Sequence, residues 1–221
     1  MTDLVYVERH ADGEADGLLV LHHGRGTDER NLLLLADALD PERRLHVAAP
    51  RGPLTLPGGP GYHWYRVPRV GYPDPASFHS ACRELAAFHD ELWQRTGIAP
   101  ERTVLGGFSM GAVMSYALGL PAERPSPAGL MAFSGFIPTV EGWQPSLADR
   151  RQLRVFIAHG RSDEVISIDF ARSARELLES DGLDVDYHES NAGHQIDIVY
   201  VTAAAGWLKL TLALDEPGPG A

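Results

Sequence analysis

The sequence predicts an α/β fold in which helices cover both faces of a mostly parallel β-sheet. Short apolar runs alternate with longer helix-like segments along the 221 residues. Such alternation is typical of strand–helix–strand units with parallel strands. The hydrophobic fraction of 44% is enough for a sizeable core, and the length suits one large domain. We expect that domain to span residues 1–214, and the remaining sequence, DEPGPGA at residues 215–221, to form a flexible tail.

The elements follow one another in regular order. Strands are expected at residues 17–23, 44–50, 102–108, 128–134, 154–160 and 184–190, and helices at residues 27–40, 77–93, 110–120, 168–182 and within 195–212. In the second helix, apolar side chains recur at steps of three and four residues, which is the stripe of an amphipathic helix. The only cysteine, Cys82, lies in that stripe. We therefore expect it to pack in the core rather than act as a nucleophile.

One connection is unusually long and carries four aromatic residues. Residues 51–75 are rich in Gly and Pro, which argues against a regular element, and they include Tyr62, Trp64, Tyr65 and Tyr72. Most loops are about 4 to 6 residues long, and long ordered loops are usually functional. We expect this loop to face the substrate; the alternative is a surface loop packed by its own aromatic side chains.

The charge balance and the N-terminus exclude several classes of function. The net charge of −11 argues against binding of nucleic acid or stable association with an anionic membrane. The first residues contain no apolar signal segment, and a single cysteine suits a reducing compartment, so we expect a cytoplasmic protein. Neither a phosphate-binding loop nor metal-ligand spacing is present, so no cofactor or metal is expected. The sequence is compatible with a homodimer.

The stretch GGFSMGAV at residues 106–113 points to a serine nucleophile. Ser109 stands between Gly107 and Gly111 where a strand ends and a helix begins, and this is the carboxyl edge at which open α/β sheets bind ligands. A strand-to-helix turn this sharp crowds the backbone, which glycines relieve. The amide of Met110 would open the helix and face an oxyanion, and the Gly-rich segment after the first strand offers the amide of Arg25 as a second donor. His23 beside it is expected to be structural.

A serine nucleophile needs a histidine and a carboxylate at the same edge of the sheet. His194 lies in the short loop between the last predicted strand and the last predicted helix. Asp163 follows the strand that ends at Gly160 and is our choice of acid, with Glu164 and Asp197 as alternatives. The order of Ser109, Asp163 and His194 along the chain is the order of α/β-hydrolases.

Four motifs together resemble the phospholipase/carboxylesterase family of α/β-hydrolases, which includes acyl-protein thioesterases and small bacterial serine esterases. They are LHHGRGTDE, GGFSMGAVMS, AHGRSDEVI and AGHQI, and they extend over nearly the whole chain. The resemblance implies a triad of Ser109, Asp163 and His194, oxyanion amides at Arg25 and Met110, and an acyl site lined by Trp64 and Tyr65. Many members carry Gln at position 110, and the eukaryotic thioesterases tend to carry Leu at position 25.

These observations predict a cofactor-free serine hydrolase that cleaves carboxylic esters, and by extension thioesters, through an acyl-serine intermediate. A lysophospholipase or an acyl-protein thioesterase with the same triad is the enzyme alternative. A binding module that kept the fold and lost turnover is the alternative from another class. The acyl chain length and the leaving group are left open, because fold analogy does not fix a substrate.

Overall fold

A seven-stranded sheet forms the centre of the molecule. The computed structural model describes residues 4–214. The strand order is β1-β3-β2-β6-β7-β8-β9, and every neighbouring pair is parallel except β1 with β3. The main-sheet strands are β1 Tyr6–Arg9, β2 Gly17–His22, β3 Leu45–Pro50, β6 Thr103–Phe108, β7 Gly129–Phe133, β8 Arg154–Gly160 and β9 Asp184–Ser190. The predicted α/β architecture with a mostly parallel sheet is confirmed.

Within residues 4–214, five α-helices cover the two faces of this sheet. They are α1 Leu33–Leu39, α2 Pro75–Thr96, α3 Met110–Gly119, α4 Ile168–Ser180 and α5 Ile198–Thr211. Apolar side chains of α2, α3 and α4 pack into one hydrophobic cluster, and those of α1 and α5 pack into a second one. The central strands β2, β3 and β7 are buried along their whole length, as expected for strands covered on both faces.

Three local features differ from the sequence-based expectation. Strand β1 was not predicted; it is four residues long and pairs antiparallel with β3 at the edge of the sheet. The first helix begins only at Leu33. The long loop contains a hairpin of two-residue strands, β4 Leu54–Thr55 and β5 Tyr62–His63, which its Gly and Pro content had argued against.

The single cysteine lies against the core. Cys82 is half-buried on α2 and packs against the first hydrophobic cluster. Burial raises the pKa of its thiol to about 12, so the thiolate is scarce near neutral pH. Its position agrees with the expected packing role.

No helix in the described part of the chain is long and apolar enough to cross a membrane. The expected tail, residues 215–221, lies outside the described residues.

Backbone hydrogen bonds join the loops that follow β8 and β9 at the carboxyl edge of the sheet. After β8, the amide of Arg161 donates to the carbonyl of Ser190, and the amide of Ser162 donates to the carbonyl of Ala192. A Cβ atom at Gly160 would overlap that Ala192 carbonyl, so glycine permits this close approach. The loops that follow β8 and β9 are thereby held side by side.

Candidate active site

Ser109 forms the sharp turn between β6 and α3. It has φ 55° and ψ −119°, a positive φ that is uncommon for a residue with a side chain. Its amide donates to the carbonyl of Phe133 at 2.8 Å, which anchors the turn to β7. A Cβ atom at Gly107 would overlap the backbone of Gly111, and a Cβ atom at Gly111 would overlap the carbonyl of His22. The two glycines flanking Ser109 are therefore required by close backbone contacts.

The three side chains predicted for the chemistry form one line of hydrogen bonds. His194 Nε2 lies 2.8 Å from Ser109 Oγ, and His194 Nδ1 lies 2.7 Å from Asp163 Oδ2. The side chain of His194 is 19% exposed, whereas that of Asp163 is fully buried. This arrangement lets His194 accept a proton from the serine while the carboxylate fixes the orientation of its ring.

The buried Asp163 carboxylate has further partners that hold it in place. Its Oδ1 accepts hydrogen bonds from the amides of Val165 at 2.9 Å and Ile166 at 2.8 Å. His159, at the end of β8, places its Nε2 3.2 Å from Asp163 Oδ2 and 2.8 Å from the carbonyl of Ile166. Burial lowers the pKa of His159, which favours the neutral ring. Sequence reasoning missed this contact, although His159 stands four residues before Asp163.

The two alternative acids occupy other positions. Asp197 caps the N-terminus of α5, where its side chain accepts a hydrogen bond from the amide of Val199 at 3.2 Å. Glu164 is exposed to solvent. Among the described residues, neither makes a hydrogen bond with His194, so Asp163 alone of the three candidates contacts the imidazole.

The proposed oxyanion amides lie at the ends of β6 and β2. Within residues 4–214, neither the Arg25 nor the Met110 amide donates to a protein acceptor. The loop after β2 is fixed by His23, whose Nδ1 contacts the carbonyl of Gly24 at 2.7 Å and whose Nε2 accepts from the amide of Gly52 at 2.9 Å. His23 is thus placed where a structural residue is expected, beneath the loop.

A pocket of about 240 Å³ opens at Ser109 and His194. Its walls include the long loop after β3 and the apolar side chains of Phe136 and Ile166, and Arg25 and Met110 also contribute to its lining. An apolar pocket that converges on a few polar groups is the usual form of a small-molecule site.

The two aromatic residues expected in the acyl site are placed differently. Tyr65 lines the pocket, and burial raises the pKa of its hydroxyl. Trp64 is fully buried and does not line it. Its indole Nε1 donates to the carbonyl of His23 at 2.9 Å, and its amide donates to the sulfur of Met110 at 3.2 Å. Of the two rings, Tyr65 therefore faces the pocket and Trp64 packs beneath the loop after β2.

No group of three or more His, Cys, Asp or Glu side chains in the described part of the chain is arranged to hold a metal ion. The serine, the imidazole, the carboxylate and the two amides without a protein acceptor lie together at this edge of the sheet. Such a set suits acyl transfer, in which a nucleophile, a base and oxyanion donors act on one carbonyl group.

Comparison with known proteins agrees with this architecture. An acyl-protein thioesterase 1 from Debaryomyces hansenii is 31% identical over 150 residues, which span 63% of each chain, just under two thirds. The mouse lysophospholipase-like protein 1 is 26% identical over 79% of this chain and 75% of its own. The crystal structure of the Bacillus cereus carboxylesterase has a TM-score of 0.82 and 26% identity, with 95% of both chains covered. Because residues 6–212 also match the family described as phospholipase/carboxylesterase, the chain belongs to that family of α/β-hydrolases.

Proposed function

We propose that this chain is a carboxylesterase that works through an acyl-serine intermediate, with Ser109 as nucleophile, His194 as general base and acid, and Asp163 as the orienting carboxylate. One observation carries the proposal: the unbroken line from Ser109 Oγ through His194 to Asp163, with contacts of 2.8 Å and 2.7 Å. The family supports the coarser statement that the chain is an esterase or thioesterase of the α/β-hydrolase fold.

The reaction follows from this geometry in two halves. The proton of Ser109 passes to His194 Nε2 as Oγ bonds to the substrate carbonyl carbon, and the amides of Arg25 and Met110 hold the resulting oxyanion. When the tetrahedral intermediate collapses, the bond to the leaving oxygen breaks and His194 returns its proton to the departing alcohol. Water, activated by the same imidazole, then attacks the acyl-serine ester, which releases the acid and restores Ser109.

The relatives' names favour a second candidate within the same chemistry. Acyl-protein thioesterase and lysophospholipase-like protein are the names of two similar proteins, so thioesters and lysophospholipids are alternative substrates for the same triad. The nucleophile and the oxyanion amides would act identically on them, because both classes present a carbonyl carbon with a leaving group. The difference would lie in the pocket and in the leaving group.

A fluorophosphonate probe and a substrate panel test the proposal. The wild-type protein should label at one site and hydrolyse p-nitrophenyl esters between acetate and palmitate, whereas Ser109→Ala should neither label nor turn over above background. A comparison with matched acyl-thioesters and lysophospholipids would rank the candidates. A folded Ser109→Ala variant that retained turnover would exclude Ser109 as the nucleophile, and a wild-type protein that failed to label would favour a binding module.

A further inference from the structure

Two unpaired cations line the candidate active site of an acidic protein. The chain has 30 Asp and Glu against 19 Lys and Arg. Most arginines in residues 4–214 pair with a carboxylate, as Arg51 does with Glu29 and Arg172 does with Glu189. Arg25 and Arg69 have no carboxylate within ion-pair distance in the described part of the chain, and both line the pocket at Ser109.

The rest of the pocket lining adds no negative charge. None of the described residues that line it is Asp or Glu. Asp163 lies behind His194, and its two oxygens are already occupied by His194 and by the amides of Val165 and Ile166. Arginine therefore supplies the permanently charged side chains of this lining, although the chain as a whole carries a net charge of −11.

The two arginines reach the pocket from different loops. Arg25 extends from the loop that supplies one proposed oxyanion amide, and its side chain is exposed. Arg69 belongs to the long loop, where its guanidinium carbon lies 3.6 Å from the centre of the Tyr72 ring. The amide of Tyr72 also donates to the carbonyl of Arg69 at 3.0 Å. Stacking orders the guanidinium and leaves its N–H edges free for an anion.

We propose that this pocket selects esters that carry an anionic group, a carboxylate or a phosphate, which Arg25 and Arg69 bind. The inference rests on the proposed esterase function and adds the substrate class. Apolar side chains, including Val67, Val70 and Phe136, line the same pocket, so the substrate joins its ester to the anion through an apolar segment. Guanidinium groups bind carboxylate and phosphate oxygens through paired, charge-assisted hydrogen bonds.

The experiment compares substrates that differ only in the anion. For the acyl half, p-nitrophenyl hexanoate is paired with the mono-p-nitrophenyl ester of adipic acid, which has the same chain length and a terminal carboxylate. For the leaving group, 1-hexanoylglycerol is paired with 1-hexanoylglycerol 3-phosphate. The measured quantity is the ratio of kcat/KM for the anionic substrate to kcat/KM for its neutral partner. We expect at least one pair to favour the anionic substrate by about tenfold at low salt.

Arginine variants then locate the source of the preference. Arg69→Ala and Arg25→Ala should each lower the favoured ratio by about tenfold, and Arg69→Lys should retain part of it because the charge remains. Arg83→Ala is the matched control, since Arg83 is an exposed arginine on α2 that does not line the pocket. The ratio should also fall as salt rises from about 0.01 M to about 1 M, where the screening length shortens from about 30 Å to about 3 Å.

The outcomes separate this inference from the function on which it rests. Hydrolysis of both neutral substrates with no preference for either anionic partner would overturn the anion proposal and leave the esterase intact. The same conclusion follows if Arg69→Ala and Arg25→Ala change the ratio no more than Arg83→Ala. Absence of turnover of all four substrates together with absence of fluorophosphonate labelling would instead overturn the esterase itself. The pair that shows the preference identifies the half of the substrate that bears the anion.

Discussion

The side chain of Asp163 gains its role from four neighbours that hold both of its oxygens. Two backbone amides bind Oδ1, while His194 and His159 approach Oδ2. Hydrogen bonds from the two amides fix the rotamer of the carboxylate. A carboxylate held in this way can orient the imidazole of His194 and stabilise it when it is protonated, without taking the proton itself.

Asn has nearly the same size and shape as Asp, so Asp163→Asn should remove activity and leave the fold intact. The amide would present an N–H group to the imidazole or force its other tautomer, and we expect kcat to fall by about 10³ to 10⁴. Asp197→Asn is the matched control, because Asp197 caps α5 and, within residues 4–214, has no hydrogen bond to His194. Steady-state kinetics and thermal melts of both variants test this expectation. A severe loss in Asp197→Asn with a mild one in Asp163→Asn would reverse the assignment of the acid.

We expect Trp64 to contribute to the stability of the folded protein and not to the preference of the enzyme for acyl chain length. Trp64→Ala empties a fully buried position and removes the hydrogen bond to the carbonyl of His23, so we expect unfolding to become easier by about 3 to 5 kcal/mol. The kcat/KM for acetate, hexanoate and decanoate esters should fall by a similar factor. Val70→Ala, in the pocket wall, should instead penalise the longer chains by a few-fold. Trp64→Phe provides a milder variant if Trp64→Ala does not fold. If either variant lost kcat/KM for long-chain esters but not for acetate, Trp64 would line the acyl site after all.

At the scale of the elements, the turn from β6 to α3 packs directly against the end of β2. We expect Gly111→Ala to destabilise the fold by about 3 kcal/mol or more, because its Cβ atom would overlap the carbonyl of His22. Gly206 is the matched control: it lies exposed within α5, with no atom within 4 Å of a Cβ atom built on it. Gly206→Ala should stabilise the protein by about 0.5 to 1 kcal/mol. Urea denaturation of the two variants measures both effects, and equal shifts would contradict the packing argument.

A pair of buried histidines joins β2 to α2 and α3. His22 contacts His89 through Nε2 atoms 3.2 Å apart, and its Nδ1 lies 2.9 Å from Ser115 Oγ. Burial lowers the pKa of His89 to about 3, and burial likewise lowers the pKa of His22 well below its usual range. Both rings are therefore neutral in the folded protein at neutral pH, and protonation of either one opposes folding.

These depressed pKa values predict a loss of stability in acid. An unfolded histidine titrates near about 6.5, so below that pH the unfolded chain binds protons that the folded chain excludes. The stability that the neutral buried histidines contribute is fully present above about pH 6.5. It declines as the pH falls toward about 3, the pKa of His89 in the folded protein. His89→Gln keeps a hydrogen-bonding side chain without titrating, and it should reduce the slope of stability against pH by up to about 1.4 kcal/mol per unit. Denaturation between about pH 5 and about pH 8 measures the slope; parallel curves for wild type and variant would contradict the prediction.

The sequence predicted the elements whose local pattern agrees with their tertiary environment. The buried strands β2, β6, β7 and β8 have apolar sequences that predict strands. The catalytic candidates were placed after the predicted strands that became β6, β8 and β9. Strand β1 was missed because YVER has a mixed, partly exposed pattern and forms through pairing with β3. The first helix was predicted too long because residues before Leu33 serve tertiary contacts, such as the buried Glu29 that pairs with Arg51.

Side-chain direction was harder to predict than position along the chain. Trp64 and Tyr65 are adjacent in the sequence, and only the folded loop shows which ring faces the pocket. The contact of His159 with Asp163 likewise depends on the turn after β8, which brings the carboxylate back over the end of its own strand. Such turns are set by hydrogen bonds between loops, and these have no periodic signature in the sequence.

At the scale of the whole molecule, two hydrophobic layers share one sheet, so the chain should unfold as a single cooperative unit. The layer that contains α1 and α5 is completed by Leu212 and Leu214, which are 8% and 3% exposed. A Cβ atom at Gly17 would lie 3.2 Å from the side chain of Leu212, which places the end of the described chain against the start of β2. Residues near the two ends of the chain are thus joined in one core.

Two truncations test where the folded domain ends. Removing residues 215–221, whose sequence DEPGPGA offers no large apolar side chain, should leave the melting temperature and ester turnover unchanged. Removing residues 212–221 also deletes Leu212 and Leu214, and each buried leucine contributes about 1.5 to 3 kcal/mol. We therefore expect the longer truncation to lose about 3 to 6 kcal/mol, as measured by denaturant unfolding of both variants. If the shorter truncation were equally destabilising, the domain would extend beyond residue 214 and the predicted boundary would be wrong.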